Sequence, residues 1–328
     1  MIRKLIYFVI IILVISACKK EIKFDISEND RKLVVNGVFN VGDPIVLWIS
    51  KSKGLLEQSR TEAIDNVGIK IYENGVLDTN SVLHIPSWIY YNYVDSGISK
   101  IYGEYKRTAY LSNLLISQDK TYKLEISTPG IDNKSFVEFK VPNLVPILKL
   151  DTTASISTDQ SPGNVQFDML IQDPPNEENF YVIQIQEIRI TSFKDPYGEI
   201  NRDTIPYYQP IEINDIVLSN NSIQLPSGVL FNDKMFNGKL QHLKFKGYSP
   251  YYFTFKYYIM LRSISKDYYN YLASLGLYYN SVDNPIAEPV SVISNVKNGF
   301  GIVTAVNQWV DSLPVIYHEI IMKNGKIN

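Results

Sequence analysis

Thr121-Tyr122-Lys123-Leu124-Glu125-Ile126-Ser127 alternates apolar and polar side chains along its whole length. A β-strand turns successive side chains to opposite faces, so this period of two puts Tyr122, Leu124 and Ile126 on a buried face and Lys123, Glu125 and Ser127 toward water. Phe136 to Val141 is its expected partner. Upstream, Ile69-Lys70-Ile71-Tyr72 and Val76-Leu77 flank Glu73-Asn74-Gly75. Asn-Gly supplies the positive φ angles that a two-residue type I′ turn requires, so this stretch predicts a hairpin.

Working outward, Leu33 to Phe39, Ile45 to Ser50 and Val67 to Tyr72 are further short β-type runs separated by turn residues. Short strands with such punctuation read as a sandwich. Pro142 and Pro146 bracket a short apolar stretch, and Asp151 to Asn164 is then dominated by Ser, Thr, Asp, Gly and Pro, the composition of a linker. A second β series follows at Val165 to Gln172, Phe180 to Thr191, Ile211 to Leu218, Gln241 to Phe245 and Tyr251 to Ile264. Asp173-Pro174-Pro175-Asn176 and Asp195-Pro196-Tyr197-Gly198 are its expected turns, because Pro presets φ and Asp bonds its own backbone. The stretch from there to Ile211 reads as an irregular excursion. One helix is predicted: Ser265 caps it, Tyr268, Tyr271, Leu272 and Leu275 follow helical spacing, and Gly276 ends it. Val290 to Ser294 and Gly301 to Val306 straddle a turn at Asn298-Gly299, and Val315 to Met322 closes the series. The expectation is a mainly β protein of two β-sandwich-like domains. The N-terminal one, immunoglobulin-like, spans residues 32–145; residues 146–164 form a linker; a larger C-terminal sandwich with one short helix spans 165–328.

The amino terminus carries an address. Arg3 and Lys4 precede an apolar run from Leu5 to Ile15, which leads to Ile15-Ser16-Ala17-Cys18. A cationic start, a short apolar core and small residues before a cysteine make a secretory signal with a lipobox, residues 1–17 being removed and Cys18 lipidated. The apolar core is shorter than the roughly 20 residues of a spanning helix, so acyl chains are the expected anchor. Residues 18–31 are polar and charged and read as a tether.

Cys18 is the only cysteine, so the folded body has no thiol left for a disulfide, a thiolate metal site or a nucleophile. Loss of residues 1–17 leaves 30 Lys and Arg against 34 Asp and Glu, a balance of −4, and that mild acidity argues against nucleic acid, whose binding domains show a basic stripe. Tyrosine is abundant, 24 residues against 14 Phe and 3 Trp, which fits half-buried strands first and a binding surface second.

No catalytic signature stands out. His84, His242 and His318 lie in different predicted strands with no ligand-pair spacing, and His318-Glu319 lacks the second histidine of a metalloprotease helix. The chain has no Gly-x-Ser-x-Gly elbow. Gly299-Phe300-Gly301 lacks the third glycine and the helix of a dinucleotide loop and reads as a hairpin turn. Asp168, Asp173, Glu177 and Glu178 are carboxylates without a metal-loop spacing, as expected of a solvated turn. No catalytic residue, metal or cofactor is therefore assigned. The aromatic clusters remain: Trp88, Tyr90, Tyr91 and Tyr93; Tyr248, Tyr251, Tyr252, Tyr257 and Tyr258; and Tyr278 and Tyr279. Consecutive aromatics on a strand face both ways, so part of each cluster is exposed or at an interface. Trp88, Tyr90, Tyr91, Tyr93, Tyr251, Tyr252, Tyr278 and Tyr279 are the candidate platform for a sugar, peptide or chelate ligand, or for a partner protein.

The C-terminal half carries a further pattern: Leu261-Arg262-Ser263-Ile264-Ser265, Asp267-Tyr268-Tyr269-Asn270-Tyr271-Leu272, Asn284-Pro285, Ala287-Glu288-Pro289, and Ser294-Asn295-Val296 to Gly299-Phe300-Gly301-Ile302. With Lys32-Leu33-Val34-Val35-Asn36-Gly37, it resembles the DUF4249 family of Bacteroidota lipoproteins over nearly the whole mature chain. The resemblance implies an outer-membrane lipoprotein, often encoded beside a TonB-dependent receptor, in a family with no established enzymatic activity and no catalytic motif to carry over. It favours the cell surface over the periplasmic face, although Lys19 and Lys20 precede Glu21 where surface export favours acids. The expected function is a non-enzymatic binding or accessory component that helps such a receptor capture or admit a ligand. The alternatives are a cell-envelope hydrolase with a long-range triad or carboxylate pair, and a structural or adhesion lipoprotein.

Overall fold

The computed structural model describes residues 31–53, 64, 66–79, 82–88, 106–154, 164–194, 200–248, 254–282, 288 and 290–313. The signal peptide, Cys18, nearly all of the tether, the 195–198 turn, His318 and the strand expected at 315–322 lie outside these residues. Among those described, the first half holds β1 (Leu33–Asn40), β2 (Pro44–Lys51), β3 (Gly68–Glu73), β4 (Val76–Leu77), β5 (Val82–Trp88), β6 (Lys106–Leu115), β7 (Thr121–Thr128) and β8 (Ile131–Lys140). The second half holds β9 (Ile147–Ala154), β10 (Asn164–Gln172), β11 (Phe180–Lys194), β12 (Ile200–Gln209), β13 (Glu212–Ile213), helix α1 (Ile216–Asn221), β14 (Ser222–Leu225), β15 (Gly228–Asn232), β16 (Leu240–Tyr248) and β17 (Thr254–Ile264). Helix α2 (Lys266–Val282), β18 (Gly299–Phe300) and β19 (Val303–Leu313) complete the order. The protein is mainly β, as the alternating patterns predict.

β7 buries Tyr122, Leu124 and Ile126 completely, each with 0% exposure, and pairs antiparallel with β8 as expected. β3 and β4 pair across Asn74 and Gly75, with φ of 47° and 81°, the two positive angles of a type I′ turn. The sheet β4-β3-β7-β8 faces strands β1, β2 and β6 across one core, in which Leu33, Leu47, Tyr122 and Leu124 are buried. This is the first sandwich. In the second, the sheet β13-β16-β10-β9 faces β11, β15 and β17 across a core of Phe167, Met169, Tyr181, Phe231 and Phe245. Phe167 and Phe245, directly opposite in the register, stack at 5.0 Å. Helix α2 packs Tyr268, Tyr269 and Leu272 on the other side of that sheet, against Phe180, Val182 and Ile264.

The two sandwiches share one sheet, ordered β14-β15-β11-β17-β19-β1-β2-β6-β5. β19 joins them: Val303 to Val306 run parallel to β1, and Asn307 to Leu313 pair antiparallel with β17. Val303 and Ala305 are accordingly buried in the first core, although they lie late in the chain.

Several sequence expectations change here. Ile211 to Leu218 is not one strand: β13 covers two residues, and Asp215 then accepts from the Val217 and Leu218 amides and starts α1. The expected single helix is thus joined by a second. The expected irregular excursion is strand β12, which extends the β11 edge. Ile147–Ala154, at the start of the expected 146–164 linker, pairs with β10 as β9. Gly276 does not end α2, which runs six residues further; its missing side chain faces a loose region where only Ile223 comes within 4.0 Å. Val290 to Ser294 is not a strand. Gly299-Phe300-Gly301 is not a hairpin turn: β18 and β19 both run parallel to β1, and Gly301, with φ 107°, lets the backbone approach where a Cβ would lie 2.1 Å from the Val35 carbonyl oxygen.

Candidate functional site

A cleft of about 260 Å³ opens where the two sandwiches meet. Three segments wall it: Lys140 to Asn143 leaving β8, Glu177 to Phe180 entering β11, and Ser263 to Lys266 passing from β17 into α2. Each is placed by ordinary packing. Val141 is fully buried in the first core and Val145 is buried in the second, so the connection between the sandwiches is pinned at both ends. The Asn307 amide on β19 donates to the Pro142 carbonyl at 3.1 Å and holds that wall against the shared sheet.

The second wall is fixed from beneath by a polar knot. Asp173, fully buried, accepts from the Tyr181 hydroxyl at 2.5 Å and from the Gly238 amide at 2.8 Å. Asp233, also buried, accepts from the side-chain amides of Asn179 at 3.3 Å and Asn237 at 2.8 Å, and its backbone N–H donates to the Asn179 carbonyl. Burial pushes the Asp173 carboxyl above the ordinary carboxylate range, and the nearby Asp233 charge adds to the shift, against the lowering effect of its donors. Burial also pushes the Tyr181 hydroxyl well above its ordinary range.

The third wall is the start of α2. Ser265 Oγ accepts from the Tyr268 amide at 3.2 Å and meets Thr304 Oγ1 at 3.1 Å, so the predicted cap is realised. Lys266 reaches the Glu178 carboxylate at 2.7 Å and lies 6.0 Å from the Phe180 ring centre, while Phe180 packs on Tyr269 at 4.9 Å. Ser263 lines the cleft with 5% exposure, and its hydroxyl has no hydrogen-bond partner among the described residues.

Of the aromatic candidates whose side chains are described, neither Tyr278 nor Tyr279 lines this cleft. Tyr90, Tyr91, Tyr93, Tyr251 and Tyr252 lie outside the described residues, and Trp88 closes β5 opposite Lys106. Tyr278 and Tyr279 are 40% and 55% exposed, with rings edge to face at 5.8 Å. They sit near the far end of α2, about 18 Å from its first residue at 1.5 Å per residue. Tyr257 belongs to the second core, where its hydroxyl donates to Gln209 at 3.1 Å; that glutamine bonds Glu187, which Arg189 also holds, at 2.8 Å. Burial first, and the Glu187 charge second, push the Tyr257 hydroxyl up.

The four carboxylates considered together from the sequence are separate. Asp168 lies on the open face of β10, where it meets His242 Nδ1 at 2.6 Å and Lys244 at 3.7 Å on an exposed, charged sheet surface. Asp173 is buried, while Glu177 and Glu178 are exposed on the cleft wall. Among the described residues no cluster of His, Cys, Asp and Glu is arranged to hold a metal ion. Phe180 and Lys140 carry no sequence signal of a site, Ser263 enters only as part of the C-terminal family pattern, and the one cue to the junction is the Pro142 to Pro146 bracket.

No curated protein and no solved structure matches the chain. Residues 19–310 match the model of a domain of unknown function, DUF4249, and the chain belongs to that family.

Proposed function

We propose that the protein is a lipid-anchored recognition component of the outer membrane, which partners a TonB-dependent receptor in ligand capture or uptake. The lipobox ending at Cys18 carries this reading: it calls for acylation, and the polar tether behind it leads directly into β1. The body on that tether is two sandwiches joined through one sheet, a firm platform for a binding surface. Its charged outer sheet, with Lys149 on Asp151, His242 on Asp168 and Lys246 on Glu212, remains solvated. The exposed aromatic end of α2, with Leu277, Tyr278 and Tyr279, suits a protein contact.

The test is recovery of the tagged, full-length chain from its own membrane in mild detergent at native expression. A β-barrel receptor should co-purify, and Cys18→Ala should release the chain from the membrane fraction. Recovery of the protein alone, or membrane retention of Cys18→Ala, overturns the reading.

A further inference from the structure

Lysines gather at the end of the first sandwich where the tether enters. The Lys32 amide donates to Ser52 Oγ at 3.0 Å and the Lys32 carbonyl accepts from the Ser52 amide at 2.8 Å, which sets Lys32 beside Lys51 and Lys53. Gly299 stands opposite Leu33 on β1, so residues 297–300 lie at the same end. Lys297 exchanges both backbone hydrogen bonds with Phe136, and the Asn298 side-chain amide donates to the Lys134 carbonyl at 3.1 Å. Lys32, Lys51, Lys53, Lys134 and Lys297 thus come together from four segments, with Lys32, Lys134 and Lys297 exposed. None of them forms an ion pair among the described residues. Glu125 on the neighbouring β7 is held by Lys123 at 3.0 Å. Phe300, 46% exposed with Lys32 Nζ 5.4 Å from its ring centre, adds an apolar ring to this end. The end where β7 begins is different: Asp43, Glu73 and Asp119 stand there against Lys120, which pairs with Glu73 at 3.7 Å, and Lys140, opposite Thr121. The eight residues of β7 separate the two ends by about 27 Å, about three screening lengths at physiological salt, so a charged surface acts on the end nearest to it.

We infer that this lysine end rests on the anionic headgroups of the membrane that holds the anchor and so sets which way the body faces. The inference rests on the lipid-anchored reading above. The chain before β1 supplies the argument for this occupant. The stretch from Cys18 to Lys32 reaches at most about 50 Å, and it ends in the lysine cluster itself. Residues 19–31 hold Lys19, Lys20, Lys23 and Arg31 against Glu21, Asp25, Glu28 and Asp30, a net charge of zero, so the attraction comes from the folded body. A lysine near an anionic surface strengthens association about fivefold. The Phe300 ring suits the boundary between headgroups and acyl chains.

With Cys18, the only cysteine, carrying the lipid, one cysteine added at either end of β7 takes a single fluorescent label: Pro129→Cys at the lysine end or Gln118→Cys at the other, both exposed positions. The full-length lipidated protein is reconstituted on vesicles of phosphatidylcholine, alone or mixed with phosphatidylglycerol, with a nitroxide quencher on a fraction of the headgroups. On the anionic vesicles at about 0.1 M salt, the Pro129→Cys label should be quenched about threefold more than the Gln118→Cys label. Neutral vesicles, or salt raised to about 0.5 M, should erase the difference. Lys32→Gln, Lys51→Gln and Lys297→Gln combined should erase it as well, with the thermal unfolding midpoint as the check on folding, whereas Lys140→Gln should leave it. Equal quenching of the two labels on anionic vesicles, a difference that persists on neutral ones, or one that survives the triple substitution overturns the inference. A protein that floats only with anionic vesicles, and no longer does so after the triple substitution, removes the acyl anchor and keeps the lysine surface. One that stays on both kinds of vesicle with equal quenching keeps the anchor and removes the surface.

Discussion

At Asp173, burial and hydrogen bonding act against each other. The carboxyl is fully enclosed, yet two donors, the Tyr181 hydroxyl and the Gly238 amide, favour its charged form. Burial wins, and the folded-state carboxyl holds its proton to higher pH than an unfolded aspartate does. Between those two pKa values the folded chain binds more protons than the unfolded one, so stability contributed here is full below the unfolded value and is lost as pH rises through the folded one. Glu125 and Glu178 run the other way: Lys123 and Lys266 lower them, so their contribution is present above the unfolded value and lost as pH falls. A direct pH curve mixes the two signs, and the difference between variants separates them. Asp173→Asn keeps the shape and removes the titration, so its unfolding free energy minus that of the parent should climb as pH rises from about 4, with a slope of at most about 1.4 kcal/mol per pH unit for one proton. Urea unfolding at a series of pH values measures this slope. A difference that stays flat, or falls, assigns the carboxyl a charged buried state instead.

Single strands show how one period of two fixes energy as well as shape. Leu124 is wholly inside the first core, whereas its neighbour Lys123 points to solvent, bonded to Glu125 at 3.0 Å and 5.3 Å from the Tyr72 ring centre. Leu124→Ala should therefore cost about 2–5 kcal/mol through lost burial and the cavity left behind. Lys123→Ala should cost far less, because an exposed ion pair contributes little to stability. Equal losses in chemical denaturation would contradict the register. The same local rule explains what was readable in advance. Asn74-Gly75 and the β7 alternation are decided by residues within a few positions, and both stand where they were read. Ile211 to Leu218 misled because Ile211, Ile213 and Leu218 all bury apolar surface in the second core, while the break between strand and helix rests on one cap, Asp215. β12 was hidden by Pro206, a residue that interior strands exclude; it is tolerated because β12 pairs only with β11 among the described residues. The cleft was not legible, since Lys140, Phe180 and Ser263 meet only after three distant segments are folded together.

Across the whole molecule, the decisive contact is parallel pairing between the first strand and the last described one, which no local pattern announces. Asn36 Oδ1 accepts from the Ile302 amide across 266 positions, and β1 and β19 then run side by side from Gly37 and Val303. The consequence is mechanical. The first half of β19 completes the first sandwich, its second half is bonded to β17 of the second, and Val306 between them packs with α2. Two further segments cross the junction under restraint. Val141 and Val145 bury the ends of the short connection in opposite cores, and near Val296 the backbone pairs with Phe136 while Ile293 is bonded to Ser274 of α2. Domains joined by a free linker unfold independently; here, losing the first core strips β19 of its parallel partner and opens the edge of the second sheet. Leu33→Ala in the first core and Leu243→Ala in the second, both residues fully buried, should each cost about 2–5 kcal/mol. Both losses should appear in one shared unfolding transition. Hydrogen exchange read peptide by peptide makes the test sharp: Leu33→Ala should speed exchange through global opening in β10 and β16 as much as in β7 and β8. If the acceleration stays within residues 33–141, the shared strand is a contact and not a coupling, and the two sandwiches are separate folding units.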